Sequence, residues 1–363
     1  MTKDFIDYRI LPAETQIVKA IAIMAMLIHH LFLEHPEYGD AIYRLAIAGK
    51  ACVALFVFLS GYGMATIFPK QKNSRINSIK TFFFFLGKRY IKFYLNYWFV
   101  FFITVPIGVF LFGRTLEVAY GTDTNLIISF LSDLFGLQGF DSYNITWWFN
   151  ELIVSLWLFF PLFYHLMKNR IISICVLTFL FINPLGILHY LEAFSFCLSI
   201  YVLPFCMGIF FARHSNSINR LLNRLRPQCV LWGSILLTAF LGVLRGYPLV
   251  SWFCYSRVDP FITMFLVLAV VSVCRATRFK LSFLRYVGGH SMNMYLTHTF
   301  ILGYFGGHLI YAIKTPILMF LAVFASSLLL SVVFETIKNK TGFYQLQNKI
   351  IKVISSQISS SRN

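Results

Sequence analysis

Charge is what this chain has least of. Only 12% of its 363 residues are Asp, Glu, Lys or Arg, where a soluble domain carries roughly 25%. Carboxylates are the scarcest, 14 against 31 Lys and Arg. Repeated Asp or Glu inside apolar runs, the equipment of a proton- or sodium-coupled carrier, is nearly missing; Asp259 and Glu335 fall at the ends of such runs. The seven cysteines (Cys52, Cys175, Cys197, Cys206, Cys229, Cys254 and Cys274) show no metal-ligand spacing and no disulfide framework, and read as buried free thiols. No H-E-x-x-H, EF-hand or G-x-x-x-x-G-K-[ST] pattern occurs, so no metal site and no P-loop are expected. The opening MTKDFIDYRILPAETQ lacks the basic, apolar, small-residue order of a cleaved signal, so the first apolar run is expected to persist as a helix.

Apolar residues are what it has in excess: 58% are hydrophobic, with 41 Phe and 19 Tyr. Runs long enough to cross a bilayer fall at about 16–34, 45–68, 93–113, 145–167, 171–190, 194–212, 229–245, 258–275, 292–312 and 316–336. With the N-terminus inside, 25 of the 31 Lys and Arg fall on the inner side. The outer side holds Arg44, Lys50, Arg114, Arg245, Arg257 and Lys314. That asymmetry follows the positive-inside rule. It also gives the net charge of +17 a topological meaning, and no nucleic-acid motif interrupts the spans. The expected fold is all-α: a polytopic membrane helical bundle of about ten transmembrane helices with both termini cytoplasmic. The transmembrane domain covers 1–340, and residues 341–363 form a short amphipathic, flexible tail. The stretch Asn125–Gly139, apolar but broken by Asp133, reads as an interfacial or re-entrant helix.

Within the first run, Lys19 stands at the start and His30 deep inside. Eleven helical steps are ~16 Å, about half the hydrocarbon thickness. An ionisable group at that depth is costly and points to a cavity or pathway. His29 is adjacent, but neighbouring helical side chains diverge, so only one faces a given cavity. The second run carries Ser60, Gly61 and Gly63, fitting either close helix packing or a ligand. Lys88, Arg89 and Lys92 cluster before the third run, as inner-face anchors or as a cradle for a phosphate-bearing ligand. Asn150 and Glu151 enter the fourth run behind Trp147 and Trp148, where Glu151 orients a hydroxylated acceptor or snorkels. His290, Ser291, Asn293, Tyr295 and His298 lie in the ninth, with Gly303 and Gly307 spaced as a packing face. His30 and His298, on different helices, point to a shared polar interior.

In this order the segments resemble the acyltransferase-3 family of integral-membrane acyltransferases. The resemblance rests on Lys19 and His30 with ten residues between them; on FVFLSGY, Phe56 to Tyr62; on Arg89-x-x-Lys92; on Trp147 to Pro161; and on Gly288, Ser291, Tyr295, Leu296 and His298. Two positions depart: the second basic place of the R-x-x-R phrase is Lys92, and Glu151 stands alone where some relatives carry two glutamates.

The resemblance implies an O-acyltransferase, most often an O-acetyltransferase, of a bacterial cytoplasmic membrane. Such an enzyme moves an acyl group from cytoplasmic acyl-CoA, acetyl-CoA above all, to a hydroxyl of a surface polysaccharide or its lipid-linked precursor. No permanently bound cofactor is implied. Lys19, Lys88, Arg89 and Lys92 then serve the coenzyme, and His30, Glu151 and His298 the chemistry. A hydroxyl needs a base near neutral pH, and imidazole suits that task. A glycan exporter or permease without acyl chemistry is the alternative that the polytopic pattern also fits.

Overall fold

The computed structural model describes residues 5–72, 78–182, 196–247, 257–277 and 281–360, and every regular element among them is helical. The thiols of Cys197 and Cys254 and the second half of the expected 171–190 run lie outside the described residues. The chain folds into two compact units, residues 1–67 with 159–291, and residues 68–158 with 292–363. Among the described residues, six helices are long and apolar enough to cross a membrane, or eight if two broken pairs each count as one span.

The first unit is built on helices α1 (Pro12–Phe32), α2 (Asp40–Gly49) and α3 (Cys52–Lys72). Pro12 sits in the first turn of α1, where its missing N–H costs nothing, and Glu14 Oε2 accepts from the Leu11 N–H at 2.7 Å. α2 and α3 form one span with a tight turn at Lys50 and Ala51. After the second unit's elements the chain returns through α8 (Phe160–Leu166), α9 (Arg170–Ile182), α10 (Phe196–Arg213) and α11 (Ser215–Leu222). It closes with α12 (Pro227–Arg245), α13 (Asp259–Thr277) and the first part of α14 (Ser282–Thr299). α10 and α11 meet at 80°.

Glycines set the closest approaches in this unit. A Cβ on Gly61 would stand 2.3 Å from the Phe205 carbonyl oxygen, and one on Gly208 2.2 Å from that of Phe58. α3 and α10 therefore cross backbone to backbone, and Gly61 serves packing rather than a ligand. Around Gly63 the space is open. Gly288 of α14 lies against Gln16 of α1, 1.9 Å from the carbonyl oxygen to a Cβ position, which explains the glycine of the Gly288–Ser291 phrase.

The N-terminal segment is tied down at one end of this unit. Asn219 Oδ1 accepts from the Tyr8 N–H, and its Nδ2 donates to Asp7. Asn223 makes the same pair of bonds to the Ile6 backbone. Arg275 pairs with Glu14 and donates to the carbonyls of Asp7 and Arg9. The Arg9 guanidinium beside Asp7 holds that carboxyl down to about 2. The N-terminal segment, α11 and the end of α13 thus share one end, as the alternation of expected spans requires.

The second unit contains α4 (Ser78–Leu111), α5 (Leu116–Tyr120), α6 (Leu126–Leu134) and α7 (Trp148–Leu158). After the remainder of α14 come a π-helical segment at Phe300–Tyr304, α15 (Gly307–Tyr311), α16 (Pro316–Lys340) and α17 (Phe343–Ser360). α6 is pulled down along α4: Tyr94 donates to the Phe135 carbonyl, Tyr97 to the Asp133 carbonyl and Trp98 Nε1 to that of Leu134. Trp98 lies about 20 Å short of Leu111 along the helix, so the Asn125–Gly139 stretch, expected as an interfacial or re-entrant helix, packs well back along α4. Asp133, fully buried, makes this possible: its carboxylate accepts from the hydroxyls of Tyr97 and Tyr120 and from the Tyr143 N–H.

Three expectations change here. The 145–167 run is interrupted at Phe159, just ahead of Pro161, so α7 and α8 are separate helices. Gly303 and Gly307 form no packing face: nothing lies within 4 Å of a Cβ on Gly303, and one on Gly307 would meet the carbonyl oxygen of Leu302, because the helix passes into its π segment there. Cys175 and Cys229 are exposed rather than buried, on outward faces of α9 and α12.

The tail is helical from Phe343, and Tyr344 donates to Glu335, whose carboxylate also accepts from Lys338 and Asn293. Lys338 is fully buried yet satisfied, donating to Asn96, Asn293 and Glu335 at 2.9 Å each.

Replacing Gly208 with alanine forces the α3–α10 backbones apart, which costs about 1–3 kcal/mol. A Gly208→Ala protein in detergent is expected to melt several degrees below the parent, while Gly63→Ala, facing open space, melts within about a degree of it. Equal melting temperatures for Gly208→Ala and the parent would contradict this crossing.

Candidate active site

α1 is mostly apolar and carries one cation and two imidazoles, and it packs against α2 and α13. His29 is buried, and its Nδ1 lies 2.8 Å from the Ala46 carbonyl oxygen. A carbonyl only accepts, so that nitrogen carries the proton. The His29 Cβ would also touch a side chain at Gly49. His29 is therefore committed to holding α1 against α2. His30 is only half-buried, its ring 4.9 Å from that of His29 in an edge-on arrangement. Lys19 is half-buried in the first half of α1, one turn from the Gln16–Gly288 crossing.

Around His30 the structure collects charges that stand far apart in sequence. Lys50, at the α2–α3 turn, is close enough for its charge to act on His29, His30 and Asp259. Ala51 packs with Val258 and Ile262, which brings the first turn of α13 to the same place. There Asp259 Oδ1 accepts from Arg245 Nε at 2.7 Å, with both side chains at 0% exposure. The second Asp259 oxygen and the Thr263 hydroxyl, one turn on, are buried with no hydrogen-bond partner among the described residues. Lys50 thus acts on both imidazoles, and the Arg245 charge, paired with Asp259, reaches His29.

In the second unit, Lys88, Arg89 and Lys92 lie along the first half of α4. The Arg89 guanidinium stands over the Trp157 ring at 4.6 Å, and Lys88 over Phe84 at 3.8 Å. Tyr90 donates to the Val154 carbonyl, pinning α7 beside them. Lys92 is exposed. Arg89 is thus held in place by an aromatic face, while Lys92 remains free to move as a flexible charge.

From Trp157, six residues back along α7, ~9 Å, stands Glu151, partly buried. Asn150 beside it is fully buried; its Oδ1 lies 3.3 Å from the Tyr295 hydroxyl, and that hydroxyl also donates to the Thr146 carbonyl at 2.9 Å. Asn144 Oδ1 accepts from the hydroxyls of Thr146 and Thr299. His298, fully buried, donates from Nδ1 to the Tyr295 carbonyl at 2.8 Å, which leaves Nε2 as the basic nitrogen. His298 belongs to the second unit and His30 to the first.

Among the described residues, no three His, Cys, Asp or Glu side chains are grouped to hold a metal ion. Three participants escaped the sequence reading. Lys50 and Arg245 were counted only as outer-side charges, and Asp259 as a span-end carboxylate. Arg245 and Asp259 stand at the ends of apolar runs and Lys50 just inside one, and the one available signal was a lone carboxylate and two cations assigned to the same side.

Removing one partner of the Arg245–Asp259 pair strands a buried charge, at about 3–5 kcal/mol. Asp259→Asn and Arg245→Met are each expected to lower the melting temperature, and Arg245→Met with Asp259→Leu to restore most of it. Additive losses in the double variant, by thermal unfolding in detergent, would show that the two side chains are not coupled.

Neither a curated protein nor a solved structure gives a significant match to the chain. The family model described as an acyltransferase domain, that of the acyltransferase-3 family, matches residues 14–336, from the start of α1 to the end of α16. With its motif residues placed in a multi-pass helical membrane fold, the chain belongs to the acyltransferase-3 family.

Proposed function

We propose that this membrane acyltransferase is an O-acetyltransferase of the bacterial cytoplasmic membrane, moving an acetyl group from acetyl-CoA to a hydroxyl of a surface polysaccharide or its lipid-linked precursor. The observation that carries the reading is His30: an ionisable ring half-buried within an apolar span and flanked by the Lys50 charge.

In this reading the His30 ring takes the proton of the acceptor hydroxyl as its oxygen attacks the thioester carbonyl carbon. The new C–O bond forms and the C–S bond breaks. The proton passes from the imidazolium to the departing coenzyme thiolate. Lys50 and Arg245 supply positive charge where the carbonyl oxygen becomes an oxyanion. At the inner face, Lys88, Arg89 and Lys92 bind the coenzyme phosphates, with Lys19 at the inner part of α1. Glu151 and His298 act on the acceptor. Arg89 has the most defined role of the four cations, because its guanidinium is already oriented by Trp157.

His30→Ala protein, purified in lipid nanodiscs and supplied with radiolabelled acetyl-CoA and cell-envelope glycan, is expected to transfer label at least about 100-fold more slowly than the parent. Transfer at the parental rate would remove His30 as the base. Glycan moved across the membrane with no label transferred, in the parent itself, would favour an exporter.

Arg89→Ala is expected to raise the KM for acetyl-CoA about tenfold or more, the loss of one charge-assisted contact, with a much smaller change in kcat. Unchanged acetyl-CoA affinity by calorimetry would end the coenzyme role of Arg89.

A further inference from the structure

The chain that returns along α4 brings a second kind of chemistry to the start of α7. The Trp148 and Phe140 rings are stacked, with centroids 5.2 Å apart and planes inclined by 26°, and Phe140 is 56% exposed. Gly139, in the left-handed region at φ +61°, lets the chain pass over Glu151: a Cβ there would stand 2.9 Å from Glu151 Oε2. The carboxylate therefore lies directly beside the aromatic pair, one helical turn from Trp148.

Beneath it, Asn150 is fully buried, and its Nδ2 has no hydrogen-bond partner among the described residues. The Nδ2 of Asn144, also fully buried, is in the same condition. Asn144 Oδ1 is used by Thr146 and Thr299, and Asn150 Oδ1 shares the single Tyr295 hydroxyl proton, at 3.3 Å, with the Thr146 carbonyl at 2.9 Å. Each amide is thereby fixed with its donor unspent. A buried donor without an acceptor carries its full desolvation penalty. An incoming oxygen, direct or through one water, recovers it.

An aromatic face, a carboxylate acceptor at its edge and carboxamide donors behind it are together the complement of one ligand class. The apolar C–H face of a sugar ring stacks on the aromatic pair, its hydroxyls donate to the carboxylate, and its oxygens accept from the amides. A lipid tail has no use for Glu151, Asn144 or Asn150. A uronic acid would set its own carboxylate against Glu151.

We infer that Trp148, Phe140, Glu151 and the amides of Asn150 and Asn144 form the acceptor subsite, and that it takes a neutral sugar ring. This deepens the acyltransferase reading and rests on it for the word acceptor. It also gives α7 two functional ends, the sugar at Trp148 and the Arg89-bearing face at Trp157, with ~13 Å between them along the helix.

Saturation-transfer NMR on the full-length protein in nanodiscs tests this. The probes are the methyl glycosides of glucose, galactose, mannose and N-acetylglucosamine, with methyl glucuronide and methyl galacturonide as the charged counterparts. At least one neutral glycoside is expected to receive saturation, strongest on the C–H protons of one ring face, and the uronides at least about tenfold less. Trp148→Ala and Glu151→Gln are each expected to reduce the signal at least about fivefold, while Trp148→Phe keeps most of it. Parental melting temperatures would show that the variants are folded, and loss in Trp148→Ala with retention in Trp148→Phe separates binding from misfolding. No saturation from any neutral glycoside, equal saturation in Trp148→Ala, or preference for a uronide would overturn the subsite. Sugar binding without acetyl transfer from labelled acetyl-CoA would leave the subsite standing and remove the acyltransferase reading instead.

Discussion

A carboxylate inside a chain this apolar has to be surrounded by donors, and Asp133 shows what that requirement builds. Three groups from three segments, the hydroxyls of Tyr97 and Tyr120 and the N–H of Tyr143, converge on its two oxygens. Because Tyr97 belongs to α4, satisfying Asp133 draws the whole Asn125–Gly139 segment down along that helix. Trp98 and Tyr94 then take up the carbonyls at the end of α6. The same descent delivers Gly139 and Phe140 to Glu151, and Asn144 and Thr146 to Tyr295 and Thr299.

The same constraint recurs in the other charged clusters. Asp259 is matched to Arg245, and Lys338 to Asn96, Asn293 and Glu335. In a low-dielectric interior each such match fixes geometry more than it adds stability, since desolvation takes back most of the attraction. The pair at Asp259 ties α12 to α13, and the set at Lys338 ties α17 to α16, α14 and α4. Where the matching is incomplete, at Asp259 Oδ2, Thr263, Asn144 and Asn150, the two units keep polar capacity for something other than themselves.

Glycine sorts into two uses that a string of letters does not separate. Gly61, Gly208 and Gly288 are close crossings, each with a neighbouring backbone carbonyl where a Cβ would be. Gly303 and Gly307 have the spacing of a packing face and serve a change of helix type instead. The difference lies in what stands opposite, and a partner helix leaves no mark on the glycine's own sequence. The break at Phe159 has a local cause in Pro161, yet a proline is often accommodated inside a span, as Pro106 is in α4 and Pro204 in α10.

Membrane character, helical class, family and the main motif residues were legible in the chain itself, because apolar runs, their charged flanks and short motifs are local and one-dimensional. Lys19, His30, Arg89, Glu151 and His298 could be picked out because each is a polar or charged letter in an apolar context. Their neighbours could not. Lys50 reaches His30, and Arg245 pairs with Asp259 close to His29, only through the packing of α1, α2, α12 and α13, and Phe140 reaches Trp148 only through the return of the chain along α4. His30 was chosen from the sequence phrase alone; what the tertiary structure adds is the partner of its neighbour, the Ala46 carbonyl that His29 meets. Sequence determined which residues enter the membrane; burial of polar groups, which must find partners wherever the chain can bring them, decided which residues stand together.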